Sequence, residues 1–185
     1  LIYPVTSWID ISADKKPREE LLKDFLLPLS LIVGLFSFLG TTFSAGIPDT
    51  FSFAYLVLSG MISFLVIFLE VYLSGWLITK IAHTFNKETN SNDIFNLVIF
   101  SHVPFFLTLA VSKLFPSLIF INLLGAYSFF LFWNGIDHFI TINKENKQIF
   151  MVLSVLVMIL TYVLLTWIFN SIYNGILIRF ATFGG

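Results

Sequence analysis

The 185-residue chain contains no cysteine, and only 11% of its residues are charged. The absence of cysteine excludes disulfide bonds, thiolate metal sites and cysteine nucleophiles. The net charge is −1 and no stretch is rich in lysine and arginine, so the composition argues against nucleic acid as a partner. Regular alternation of polar and apolar residues is also missing, which argues against a transmembrane β-barrel.

Apolar residues, in contrast, make up 57% of the chain and include 23 phenylalanines. The mean hydropathy is +0.92, and a soluble protein of this size cannot cover so much apolar surface. A membrane-spanning helix needs about 20 mostly apolar residues. Five runs meet this requirement, at residues 25–43, 51–79, 97–115, 117–140 and 149–178.

These runs predict an all-α membrane protein, built as a bundle of five transmembrane helices. The chain then divides into three parts. A cytoplasmic amphipathic segment covers residues 1–24, the five-span domain covers 25–178, and a short C-terminal tail covers 179–185. Because only the residues "FPS" separate the third and fourth runs, these two helices are expected to form an antiparallel hairpin.

Lysine and arginine predict the orientation of the bundle. Four of them precede the first run, two lie between the second and third runs, and two lie between the fourth and fifth. The other side of the membrane receives only Lys113 and Arg179. Positive residues concentrate on the cytoplasmic side of membrane proteins, so we expect a cytoplasmic N-terminus and a C-terminus that faces outside.

The N-terminal segment places Trp8 on the apolar face of a short helix, and the basic residues Lys15, Lys16 and Arg18 follow it. Such a pattern suits a helix that lies on the membrane surface. Two interpretations remain open: these four residues contact lipid or a partner at the interface, or the segment packs as a lid over the bundle. Pro17 is expected to open a helix that runs into the first span.

Glu70 interrupts the second apolar run, about 15 Å from its cytoplasmic end at 1.5 Å per residue. An isolated charge at that depth costs on the order of 3 kcal/mol, so Glu70 is expected to be neutral, paired or facing water. The topology places other polar side chains in the same half of the bundle, and a kink at Pro104 would open space beside them. The predicted polar vestibule consists of Glu70, His102, Tyr127, Asn134, Asp137 and His138.

Three interpretations of this vestibule remain open. It is a hydrogen-bonded network that fixes helix packing, a binding site for a lipid head group, ion or partner side chain, or a metal or catalytic centre. A metal or catalytic centre would need ligands from three different helices. The sequence does not contain the HExxH spacing that places metal ligands on one helix face. We therefore predict no catalytic residue, no metal and no cofactor.

Small residues within the apolar runs predict close contacts between helices. They are Gly34, Gly40, Ser59, Gly60, Ser63 and Gly125. Ser59 beside Gly60 is vaguely similar to an intramembrane serine protease site, but the flanking GxSG pattern is missing.

Three stretches give the sequence a resemblance to a known family. They are "SWIDI" before the basic segment, "GWLITKIAHTFNKETNSNDIFNLVIFSHVPFFL" and "LLGAYSFFLFWNGI". The chain resembles the Yip family of membrane proteins (Rab/Ypt-interacting in eukaryotes), particularly its bacterial branch. The best-matching positions are His102, Pro104, Tyr127 and Ser128.

The resemblance implies a five-span helical bundle with a cytoplasmic N-terminus, in a bacterial inner (plasma) membrane. It implies no enzymatic activity. The "DLYGP"-like motif of eukaryotic members is absent, so no Rab-related function is carried over.

The sequence thus predicts a non-enzymatic scaffold, accessory subunit or lipid-organising protein that acts through its cytoplasmic face. Its expected partners are the lipid bilayer and either another membrane protein or further copies of itself. The alternative is a small transporter or channel-like protein that uses the polar vestibule. A more distant alternative is an intramembrane metal-dependent hydrolase.

Overall fold

A computed structural model describes residues 4–45 and 50–183. Residues 1–3, the connection at 46–49 and the last two residues of the predicted tail lie outside this description. Within the described residues every regular element is helical. The α-helices are α1 (Pro4–Ala13), α2 (Arg18–Glu20), α3 (Leu27–Ala45), α4 (Thr50–Phe85), α5 (Ser91–Leu114), α6 (Tyr127–Phe139) and α7 (Lys144–Phe183).

Five helical segments are long and apolar enough to cross a membrane, which confirms the predicted fold class. They are Arg18–Ser44, Phe53–Phe85, Ser91–Leu114, Pro116–Phe139 and Glu145–Ile176. Several extend beyond the predicted runs at their polar ends, because a helix does not stop where hydropathy falls.

The first span begins before the apolar run, directly after Pro17, as predicted. A π-helical turn at Leu21–Leu26 joins α2 to α3. Pro28 follows that turn, and a proline ring clashes with the carbonyl four residues earlier, here that of Asp24. The wider π-turn accommodates this clash and keeps the helix continuous.

Small residues bring the helices into close contact, as the sequence predicts. A Cβ atom added to Gly34 would lie 2.9 Å from the carbonyl oxygen of Gly60, and one on Gly60 would lie 3.0 Å from that of Gly34. Above this crossing of α3 and α4, the Ser63 hydroxyl donates to Ser37 at 2.9 Å. Close backbone approach and interhelical hydrogen bonds therefore hold these two spans together.

The fourth span is not a uniform α-helix. It starts as a 3₁₀ helix, Pro116–Ala126, and continues as α6. Phe115 alone separates α5 from this 3₁₀ helix, which confirms the predicted tight hairpin. Gly125 then packs so closely on α5 that an added Cβ would lie 2.9 Å from the Thr108 hydroxyl oxygen.

The N-terminal segment closes one end of the bundle. Trp8 is fully buried, and its ring meets Phe139 of α6 edge-on at 5.6 Å between centroids. Trp8 is therefore a core residue of a packed lid, and its prediction as an interfacial contact is wrong. The reason is that Gly135 has no side chain, and the indole of Trp8 fills the space that this leaves beside α6.

Two basic residues of this segment contact the bundle. Lys15 forms an ion pair with Asp93 at 2.9 Å, and the Arg18 guanidinium lies 4.4 Å from the ring centroid of Phe95. These contacts hold the segment against the start of α5. The Arg18 contact corrects the interfacial prediction for that residue, whereas the Lys15 side chain is 39% exposed and its interfacial role stays a prediction. Lys16 remains exposed, so its role at an interface stays a prediction.

Candidate functional site

The carboxylate of Glu70 lies near the middle of α4 and is only 1% exposed. The Ser74 hydroxyl, one turn later, donates to its Oε1 atom at 3.0 Å. His102 of α5 approaches the same oxygen, with 3.4 Å between Nε2 and Oε1. The other oxygen, Oε2, is buried and finds no hydrogen-bond partner among the described residues. The structure therefore pairs Glu70 with His102, as the sequence indicates, but the second carboxylate oxygen has no hydrogen-bond partner among the described residues.

Neighbouring backbone fixes the orientation of the His102 ring. Its Nδ1 lies 2.7 Å from the carbonyl oxygen of Val98. A carbonyl oxygen only accepts hydrogen bonds, so Nδ1 carries a hydrogen. In a neutral ring Nε2 is then a bare acceptor facing Glu70. The close approach of Nε2 to Oε1 is favourable only when a proton lies between them, on either the imidazole or the carboxylic acid.

Pro104 lies inside α5, which continues through it as one helix. Proline has no N–H and disturbs the preceding helical turn, so backbone groups near it bond outside the helix. The Phe105 N–H donates to the Ser128 hydroxyl oxygen of α6 at 3.0 Å. A cleft opens beside His102 at this position, where the sequence predicts space.

The cleft has a volume of about 90 Å³. Four spans contribute to it, and most of its wall is aromatic or aliphatic. Its lining residues are Glu70, Ser101, His102, Phe105, Gly125, Ser128, Phe129, Met158, Ile159 and Tyr162. Ile159 of α7 is 43% exposed on the outside of the bundle, so the cleft lies one side chain away from the lipid-facing surface.

The other predicted vestibule residues do not join this cleft. Asp137 is exposed and pairs with Lys147 at 2.7 Å, and the Asn134 amide donates to the backbone oxygen of Phe130 at 2.8 Å. Tyr127 stacks on Phe130 and is 39% exposed. His138 is half-buried outside the cleft.

The prediction that these four residues form one vestibule with Glu70 is wrong. They share a face of α6, as their spacing indicates, but the face of the fourth span that packs on α5 carries Gly125 and Ser128 instead. These four residues are therefore separate from the cleft beside Glu70 and His102, and the lid packs on α6 at their end of the bundle.

A larger chamber lies at the opposite end of the bundle, and sequence reasoning missed it. Its volume is about 650 Å³, and all five spans line it, the fourth through the start of its 3₁₀ helix. Its polar lining residues are Ser37, Thr41, Ser44, Ser59, Ser63, Ser112, Lys113, Asn122, Tyr162, Thr166, Asn170 and Tyr173.

Hydroxyl side chains and aliphatic side chains share the chamber wall on α3 and α4. Thr41 and Ser59 lie 3.1 Å apart, oxygen to oxygen. Buried oxygens of Asn122 and Thr166 have no partner among the described residues. The signal in the sequence is the helical spacing of Ser37, Thr41 and Ser44, because residues at i, i+4 and i+7 share one helix face.

Lys113 is the charged residue in the chamber wall, and its side chain is exposed. It lies beside many neutral hydroxyl and amide groups, so the chamber wall combines one lysine with hydrogen-bonding side chains. Groups of three or more His, Asp or Glu side chains that could hold a metal ion are not found in the described residues. Both cavities present charged and hydrogen-bonding side chains to a ligand.

These features define a class: a multi-pass α-helical membrane protein with a lidded bundle, a buried carboxylate–imidazole pair and a polar chamber. The sequence matches the family model of the Yip1 domain over residues 1–168. The chain therefore belongs to the Yip1 domain family, as its sequence resemblance indicates. Comparison with curated proteins and with solved structures yields no match.

Proposed function

We propose that this protein is a non-enzymatic, lipid-organising membrane protein that binds the polar part of an amphiphile in the chamber. The observation that carries the proposal is a hydroxyl-lined space of about 650 Å³ within the bundle. Ligand sites in proteins typically measure about 300–1,000 Å³, so the space is suited to a head group or a comparable polar moiety.

The charge of the chamber favours an anionic head group. Lys113 supplies a positive charge, and the serine, threonine and asparagine side chains supply hydrogen-bond donors for phosphate or glycerol oxygens. The surface around α7 is apolar and exposed, with Leu160 and Leu164 each more than half exposed. An acyl chain is therefore able to remain in the bilayer while its head group enters the chamber.

The test is native mass spectrometry of the protein released from lipid nanodiscs that contain equal amounts of phosphatidylglycerol and phosphatidylcholine. We expect one phosphatidylglycerol to be retained preferentially. Asn170→Phe places a large apolar side chain in the chamber and should reduce this retention at least fivefold.

The matched control is Ser171→Phe on the neighbouring residue of α7, which is exposed and bonds only the Trp167 carbonyl of its own helix. Equal loss in both variants, or no lipid preference in the parent protein, would contradict the proposal. The same spectra count copies of the chain and reveal any co-purified membrane protein, and so test the proposed homo-oligomer or partner.

A further inference from the structure

The unpartnered Oε2 atom of Glu70 indicates a second ligand, different from the head group proposed for the chamber. The residue is 1% exposed and lines the cleft of about 90 Å³ beside His102. A buried acceptor is normally matched by a donor, and the described residues supply none for this oxygen. What belongs in the cleft is therefore a donor.

Charge restricts the donor further. A proton between Oε1 and Nε2 would make their 3.4 Å approach favourable, since Val98 already accepts the hydrogen on Nδ1. With that proton present the pair is neutral overall, which suits its depth in the membrane. A cation that enters the cleft keeps this neutrality only if the shared proton leaves.

The wall of the cleft is also suited to a cation. Phe105, Phe129 and Tyr162 line it together with the carboxylate, and Phe105 meets Tyr162 edge-on at 5.3 Å between ring centroids. The ring faces of aromatic side chains attract cations, so this wall is compatible with a positively charged ligand beside the carboxylate.

From these observations we propose that the cleft binds a primary ammonium group in exchange for the shared proton. The ammonium donates to Oε2 and takes the place of the proton between Oε1 and Nε2, while that proton leaves to bulk water. One positive charge enters and one leaves, so the net charge of the site stays zero. The remaining titratable side chain in the cleft wall is Tyr162, and the hydroxyls are those of Ser101 and Ser128.

Size limits the ligand to small ammonium groups. A cavity of about 150 Å³ holds benzene, so a cleft of about 90 Å³ is suited to a methylammonium or ethanolamine group. Tetramethylammonium is larger and has no N–H to donate to Oε2.

The experiment is calorimetric titration of the purified protein in an amine-free buffer, with methylammonium chloride as the probe. We expect saturable binding, release of one proton per bound ammonium in buffers of different ionisation enthalpy, and at least tenfold weaker binding of tetramethylammonium. Equal binding of the two cations, or binding without proton release, would overturn the proposal.

Two pairs of variants locate the site. Glu70→Gln removes the charge at similar size and should abolish binding, whereas Glu88→Gln, on an exposed residue, should leave it unchanged. Ile159→Trp closes the rim of the cleft and should weaken binding at least tenfold, whereas Leu160→Trp on the next, lipid-facing residue should not. If Glu70→Gln fails to fold, Ile159→Trp and Leu160→Trp still test the site. Methylammonium binding that is unchanged in Ile159→Trp would refute the site.

A free amine and the head group of an ethanolamine lipid both carry such an ammonium group, and nanodiscs distinguish these two sources. If the lipid head group reaches the cleft, it competes with methylammonium. Methylammonium should then bind at least fivefold more weakly to the protein in phosphatidylethanolamine nanodiscs than in phosphatidylcholine nanodiscs. If only free amines enter, the affinities are equal. Asn170→Phe should leave ammonium binding intact, so failure of the chamber proposal is distinguishable from failure of this one.

Discussion

Two glycines show how differently one residue type acts within this bundle. A Cβ atom on Gly40 would collide with the backbone carbonyl of Lys113, which has no rotamer by which to move aside. A Cβ atom on Gly175 would meet nothing within 4 Å. Gly40 thus allows α3 to approach the end of α5, whereas Gly175 has no packing role.

Gly40→Ala is therefore expected to destabilise the protein by about 1–3 kcal/mol, because overpacking forces the backbone to shift. Gly175→Ala should be neutral or stabilise the helix by up to about 1 kcal/mol, since alanine is the better helix former. Thermal unfolding in detergent measures both. Equal stability of the two variants would show that α3 and α5 do not touch at Gly40.

At the scale of elements, the central question is how α1 is attached. Trp8 is buried, while its neighbour Ile9 is 52% exposed, so one face of this short helix carries most of its attachment. Short helices are marginal in water and depend on tertiary packing. The indole of Trp8 thus supplies much of what holds α1 on α6.

Trp8→Ala should cost about 3–5 kcal/mol, as expected when a large buried aromatic side chain is removed, and should release α1 before the rest of the bundle. Hydrogen exchange of residues 4–13 should rise sharply, with little change in α4. The control Ile9→Ala should leave exchange in α1 nearly unchanged. Similar exchange in both variants would mean that the lid is held by its ion pair and cation–π contacts instead.

At the scale of the whole molecule, the ends of the bundle differ in character. One end is closed by α1 and the connections between spans, where the Asn86 amide donates to the Thr141 carbonyl at 3.1 Å. The other end contains the chamber. The distribution of lysine and arginine predicts that the closed end is cytoplasmic, so the chamber would face outside.

The natural absence of cysteine makes this orientation directly measurable. Lys87→Cys lies at the closed end and Ser117→Cys lies at the chamber end, and both positions are exposed. In intact bacterial cells a membrane-impermeant maleimide should label Cys at 117 but not at 87, and permeabilised cells should show both. The reverse pattern would place the chamber in the cytoplasm.

Much of this architecture was determined by the sequence alone. Long apolar runs have to be helices in a bilayer, since every backbone polar group must be satisfied internally, so the five spans and the tight hairpin at Phe115 were predictable. Small residues within those runs indicated close contacts between helices, and the structure shows that Gly34 and Gly60 form one of them. The pairing of Glu70 with His102 followed in part from their similar depth.

The tertiary structure alone decided which helix faces meet. Asp137 and His138 lie in the last turn of α6, far along the bundle from Glu70 near the middle of α4, and it is Ser128 that packing brings towards α5. Trp8 reads as an interfacial residue in the sequence but fills the gap beside Gly135. Helical spacing identifies residues that share a face, whereas the partner of that face depends on packing against the other spans, which no single run of sequence contains.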